Sequence, residues 1–439
     1  MALTNTKLSI LVAFGFLLVI EMIPRSSAKI ANYDEYLQKR AEESFEASLK
    51  AFNPKPEEVT DDFNQLVGEE LASENVTRRS LRERGCRATN AIDQCWRCDR
   101  NWANNRKKLA DCARGFGHHT TGGKMGRIYV VTNPSDDNVD NPRPGTIRHA
   151  VIQREPLWII FSHHMIIRLR QELIFTSHKT IDGRGAEVHI AFGAGLTLQF
   201  VQNVIIHNVW IHDIIPASGG LIRDAVNHLG FRTRSDGDAI SVYSSSHIWI
   251  DHVSLSKATD GLIDVIEAST AITISNCKFN HHNDVMLLGA HDSDAKDAIM
   301  QVTVAFNRFG VGLIQRMPRC RWGFFHVVNN DYSHWELYAI GGSAHPTILS
   351  QGNRFRASNG RYIKEVTKRD YAPKSEWMKW QWRSEGDLFT NGAFFTESGP
   401  PMTRSPLTAR NNIRFKPGSF VGRLTRYAGA LRCIRGRPC

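Results

Sequence analysis

Three groups of residues in this sequence have types and spacings that can do chemistry. Asp236-Gly-Asp238 precedes a short β-branched run, Ala239 to Tyr243, and Asp260-Gly-Leu-Ile-Asp264 follows the next such run by a few residues. One Asp-Gly alone is usually a turn. Two acid pairs separated by one structural repeat are different, because stacked strands lie roughly 4.8 Å apart and would bring the four carboxylates to one face. Converging carboxylates repel unless a cation sits among them, and an oxygen-only donor set selects calcium over zinc or copper. The third group is Arg316-Met-Pro-Arg319-Cys-Arg321. Three guanidinium groups so close together attract an anion, and the arginine fork matches a carboxylate. From spacing alone, structural ion pairing explains them equally well.

Something must hold these groups in place, and the sequence shows what. From about residue 127 it breaks into short β-branched and aromatic runs separated by Gly, Asn, Asp and Ser, the pattern of many short strands. Runs beginning at Ile206, Ile250, Ile274, Val304, Val327 and Ser350 align with one another, at intervals of 44, 24, 30, 23 and 23 residues. That is a repeat of 22 to 30 residues with one doubled interval, and the leucine framework of a leucine-rich repeat is missing. The pattern predicts a solenoid, most simply an all-β parallel β-helix. An antiparallel sandwich would need two-residue hairpin turns that are mostly absent. Asn208, Asn276, Asn307, Asn330 and Asn353 recur at nearly equivalent bends, where stacked amides can satisfy backbone groups.

Before the repeats, residues 1–28 read as a signal peptide: Lys7, an apolar run from Leu8 to Ile20, then Ser26-Ser27-Ala28. The run is too short for a membrane span. Residues 29–84 form a separate N-terminal helical and polar extension, with a helix from Ile30 to Phe52 stopped by Pro54 and Pro56, then a polar stretch to about Arg84. That stretch holds Asn75-Val76-Thr77, a glycosylation sequon. The β-helix domain is set at 85–400, and 401–439 is a basic C-terminal tail, with nine Lys or Arg and no acid after Glu397. Eight cysteines in a secreted chain favour disulfides among those that cluster, with no pairing assigned. The net charge of +11, outside the cell, points to an acidic wall polysaccharide rather than nucleic acid.

WIDH at 249–252, DGLID at 260–264, STAITISN at 269–276, VMLLG at 285–289 and RMPRCR at 316–321 closely resemble plant pectate lyases of polysaccharide lyase family 1. The resemblance runs from about Cys95 to Gly399, and residues near 33–84 resemble the N-terminal extension of some plant members. It implies a right-handed parallel β-helix and calcium held by Asp236, Asp238, Asp260 and Asp264. It also implies Arg316 as the base, with Arg321 and, less directly, Arg319 holding substrate. The reaction so implied is eliminative cleavage of (1→4)-α-D-galacturonan in de-esterified pectin, giving unsaturated oligogalacturonides. One departure stands out: bacterial relatives often carry a substrate-binding lysine just before VMLLG, and Asp284 stands here, with Lys278, His281 and His282 nearby to compensate.

The rival readings are distinct. A pectin lyase acting on methylated substrate has no use for the acid cluster, and a polygalacturonase has no use for RMPR because it hydrolyses with paired acids. A non-catalytic calcium- or pectate-binding wall protein would not need Arg316. The expected protein is a secreted, monomeric enzyme of the cell wall.

Overall fold

The runs that align in the sequence are register partners in space. In the computed structural model, which describes residues 30, 33–69, 86, 88–369, 372–402 and 415–439, Ile206, Ile250, Ile274, Val304, Val327 and Ser350 stand side by side on consecutive parallel strands. Each coil gives one strand to each of three sheets. Ile240–Tyr243, Ser246–Asp251 and Ser254–Ser256 make one coil, and Ile263–Ile266 opens the next. Among the described residues these sheets hold eight, ten and nine strands. The molecule is a parallel β-helix, as the repeat predicts. Its interior is apolar and layered: Phe279, Phe309, Tyr332 and Phe355 stack ring on ring, with centroids 5.0, 4.5 and 4.5 Å apart.

The 44-residue interval is a correction to the expected doubling. Strand Gln202–His207 pairs directly with Ser246–Asp251, so one coil spans the interval. The extra length is a loop insertion, an antiparallel hairpin of Gly220–Ala225 with His228–Arg232.

The asparagine ladder forms over part of its expected length. Asn307 N–H donates to Asn330 Oδ1 at 2.9 Å, Asn330 N–H to Asn353 Oδ1 at 2.8 Å, and Asn353 N–H to Asp387 Oδ1 at 2.6 Å, so that Asp387 ends the series. Asn208 and Asn276 instead tie down other segments: Asn208 Oδ1 accepts from Leu431 N–H, and Asn276 Oδ1 accepts from Asn90 Nδ2. Chain packed against a bend offers donors that an adjacent coil otherwise supplies.

The N-terminal helix runs Glu35–Ala51, capped by Asp34 Oδ1, which accepts from Leu37 N–H at 3.0 Å. Beyond it, part of the expected polar stretch is helical. Residues 56–69 form a second helix, with Pro56 at its first position, where a missing N–H costs nothing. Val59, Phe63 and Val67 recur at four-residue spacing and are buried. Residues 1–28 and the sequon asparagine, Asn75, lie outside the described residues. Cys86 pairs with Cys98, Cys95 with Cys112 and Cys433 with Cys439, while Cys277 and Cys320 are free and buried. Among the described residues no helix is long and apolar enough to cross a membrane.

Candidate active site

All three chemical groups lie where the chain returns to the eight-stranded sheet. Asp236 and Asp238 end the loop before Ile240–Tyr243, and Asp260 lies in the next loop. Asp264 follows on the strand Ile263–Ile266, in register with Ser241 of the coil before and Leu287 of the coil after. Leu287 is in turn in register with Arg319, which places the arginine group two coils beyond the acids.

Asp236, Asp238 and Asp260 each present a carboxylate oxygen, and the three oxygens lie within 4.8 Å of one another. This is the only such group among the described residues. Asp264, the fourth expected ligand, falls outside this trio of oxygens, although it lies close enough to act on Asp238. A Cβ on Gly261 would lie 2.1 Å from Asp264 Oδ1 and 3.0 Å from Asp238 Oδ1, so the absence of a side chain at Gly261 is what lets both carboxylates close in. Asp238 Oδ1 accepts the Gly261 N–H at 2.8 Å. Asp264 Oδ1 is buried without a hydrogen-bond partner, which is costly for a carboxylate unless something else meets it.

The electrostatics carry the same message. Burial pushes the Asp238 and Asp264 carboxyls well above the usual carboxylate range, and the neighbouring acids push further in the same direction. Asp260 is raised by burial and by Asp236, with Arg316 pulling the other way. Glu172, which sequence reasoning missed, belongs to this surround. Its carboxyl is raised mainly by burial, with Asp236 adding to the effect, and Thr197 Oγ1 donates to it at 2.7 Å. It is an isolated acid in the sequence, and only coil stacking brings it near.

The arginines differ in their engagements. Arg316, at φ 59°, lies with Nε 3.0 Å from Asp284 Oδ1, in an ion pair. Arg319 is buried in the strand Arg319–Arg321. Arg321 donates from Nε to Asp292 Oδ1 at 2.7 Å and from Nη1 to Gly289 O at 2.8 Å, and burial, then Arg319, lower its pKa. Nothing in the spacing pointed to Asp292 as its partner. His282 is structural: its Nε2 bonds Asp260 O at 2.5 Å and fixes the acid-bearing loop. Lys278 sits on the nine-stranded sheet beside Gly429 of the C-terminal segment.

Comparison with known proteins agrees with this geometry. The family profile described as pectate lyase matches residues 120–376, and one described as pectate lyase, N terminus, matches residues 29–81. A pectate lyase of Lilium longiflorum is 60% identical over 417 residues, covering 94% of this chain and 96% of that protein. Probable pectate lyase 7 of Arabidopsis thaliana is 54% identical over 461 residues, covering 96% and 97%. Among solved structures, Jun a 1, the major allergen from cedar pollen, superposes with a TM-score of 0.75 at 47% identity, over 78% of this chain and 99% of its own. With the coil stack, the acid cluster and the matches over nearly its whole length in agreement, the chain belongs to the pectate lyase family of enzymes.

Proposed function

We propose that the protein is a secreted, calcium-dependent pectate lyase that cleaves de-esterified galacturonan by β-elimination. The observation that supports this reading is the convergence of Asp236, Asp238 and Asp260, with Asp264 and its unpartnered Oδ1 beside Asp238 at Gly261 and Arg316 two coils away. All-oxygen donors, mutual repulsion and a buried orphan oxygen fit a hard divalent cation. When bound, calcium supplies a Lewis acid for the substrate carboxylate, making the neighbouring C5 proton easier to remove.

The chain's own residues do the rest. Arg316 leaves its ion pair with Asp284 and gives up one proton to solvent, and the neutral guanidine then takes the C5 proton. The C5–H electron pair forms the C4–C5 double bond, the C4–O bond breaks, and the departing oxygen takes a proton from water. Arg319 and Arg321 keep positive charge beside the uronate during this step. Three disulfides and the apolar leader support an extracellular site of action.

The test is ultraviolet absorbance of the unsaturated product on polygalacturonate, with calcium and with chelator. A calcium-dependent rise is expected. No rise, with cation and polymer still bound, would leave the non-catalytic binding reading in its place. A rise only on methylated pectin, insensitive to chelator, would favour a pectin lyase.

A further inference from the structure

The basic C-terminal segment is tied to the stack residue by residue. Gly429 N–H donates to Asn276 O at 2.6 Å, Ala430 N–H to Ser254 Oγ at 2.9 Å and Leu431 N–H to Asn208 Oδ1 at 2.7 Å, one bond to each of three consecutive coils. Beyond these, Cys433 is bonded to Cys439, Arg437 O accepts from Trp102 Nε1 at 3.1 Å, and Cys439 N–H donates to Arg97 O at 3.0 Å. The backbone from Leu431 to Cys439 is thus fixed at both ends, and the side chains on it are positioned before any ligand arrives.

Against the bend between the ten-stranded and nine-stranded sheets, this segment walls a cavity of about 460 Å³, lined in part by His164, Glu187, Trp210, Arg432, Ile434 and Arg435. The nine-stranded sheet lies between it and the acid cluster, which sits on the loops entering the eight-stranded sheet. Trp210 is half-buried at the start of the strand Trp210–His212, its ring stacked on His189 at 5.2 Å. His164 Nδ1 accepts the Glu187 N–H at 2.8 Å, leaving Nε2 to carry the ring hydrogen as a donor. Glu187, the one acid of the lining, is engaged, with Oε1 3.5 Å from His189 Nε2 and 3.6 Å from Arg432 Nη2. Arg435 is exposed and has no ion pair among the described residues. Positive charge therefore exceeds negative beside an indole ring. That combination suits a sugar bearing a carboxylate, with its apolar face on the aromatic ring and its anion on a guanidinium fork.

We propose that this cavity is a second, non-catalytic binding site for an acidic polysaccharide, which tethers the enzyme to the polymer while the cleft works on another stretch of it. One uronate rests its apolar face on Trp210 and its carboxylate meets Arg435, while Arg432 is drawn from Glu187 to a further carboxylate of the chain. The identity of the occupant rests on the pectate-cleaving reading, but the site itself takes no part in bond breaking. A tether raises the effective concentration of polymer at the cleft and adds nothing for a substrate too short to engage both sites.

The experiment measures retention on immobilised polygalacturonate in the presence of chelator, which stops turnover, for the native chain, Arg432→Gln/Arg435→Gln, Trp210→Ala and a control, Arg426→Gln/Arg437→Gln. All four arginines are exposed, so both double variants keep the core, and the control removes the same charge from the same segment without touching the cavity lining. The expected result is ~10-fold weaker retention for the two cavity variants, with the control near native and kcat/KM on trigalacturonate in calcium unchanged throughout. Equal losses in the two double variants would mean diffuse attraction by the basic segment and overturn the site. Native retention in either cavity variant, or a matching loss on trigalacturonate, would overturn it as well. If the native chain cleaves neither substrate, the cleavage reading fails, and the retention comparison still decides the tether.

Discussion

Arg316 Nε lies 3.0 Å from Asp284 Oδ1, an ion pair between neighbouring coils. Asp284 is in register with Gln315, whose Nε2 donates to the same Oδ1 at 2.9 Å, so the carboxylate is held in place on two sides. Where bacterial relatives often place a cation for the uronate, this chain has an anion restraining its candidate base.

Asp284→Asn should therefore ease substrate entry. The amide keeps the shape and a hydrogen bond to Gln315 but no longer repels a uronate or neutralises Arg316. A fall in KM for polygalacturonate of roughly tenfold is expected, equivalent to about 1.4 kcal/mol. An unchanged KM would mean that Asp284 does not face the substrate.

Arg316→Lys keeps the positive charge and changes the group that takes the proton. Turnover should drop by ~100-fold or more, the lower range for losing general base catalysis. Calcium affinity, measured calorimetrically, should hold. Full activity would remove Arg316 from the role of base, as would a rate maximum below about pH 6, since an arginine base works toward alkaline pH.

Gly261→Ala tests the cradle. The new methyl would fall 2.1 Å from Asp264 Oδ1, forcing the carboxylate aside while the loop backbone stays bonded to Asp238. Calcium affinity should weaken by at least ~10-fold with circular dichroism unchanged. Native affinity in this variant would show that Asp264 takes no part in cation binding.

Asp387 makes stability depend on pH. Burial pushes its carboxyl up to about 6, against about 3.9 in an unfolded chain. Its contribution is fully present below about pH 4 and is lost as pH rises to about 6, because above that the folded chain holds a buried anion while the unfolded chain ionises freely. The shift corresponds to about 3 kcal/mol. Asp387→Asn should flatten this slope in urea titrations across that window, and an unaltered slope would assign the effect to another group.

The aligned runs from Ile206 to Ser350 contained the fold, because a repeated strand cannot bury its apolar face except against the next copy of itself. The same repeat placed Asp236, Asp238, Asp260 and Asp264 on one edge and Arg316 two coils on. Only the tertiary structure decided that the 44-residue interval is one coil carrying a hairpin, that Asn208 and Asn276 bind other segments, and that Glu172 lies near the cluster. It also decided the partners of the arginines: Asp284 for Arg316, and Asp292 with the Gly289 carbonyl for Arg321. Strand periodicity fixes which coil and which edge a residue occupies, since backbone register is set by the repeat. The direction a side chain takes from a loop depends on what neighbouring loops of unequal length put beside it, and no period encodes that.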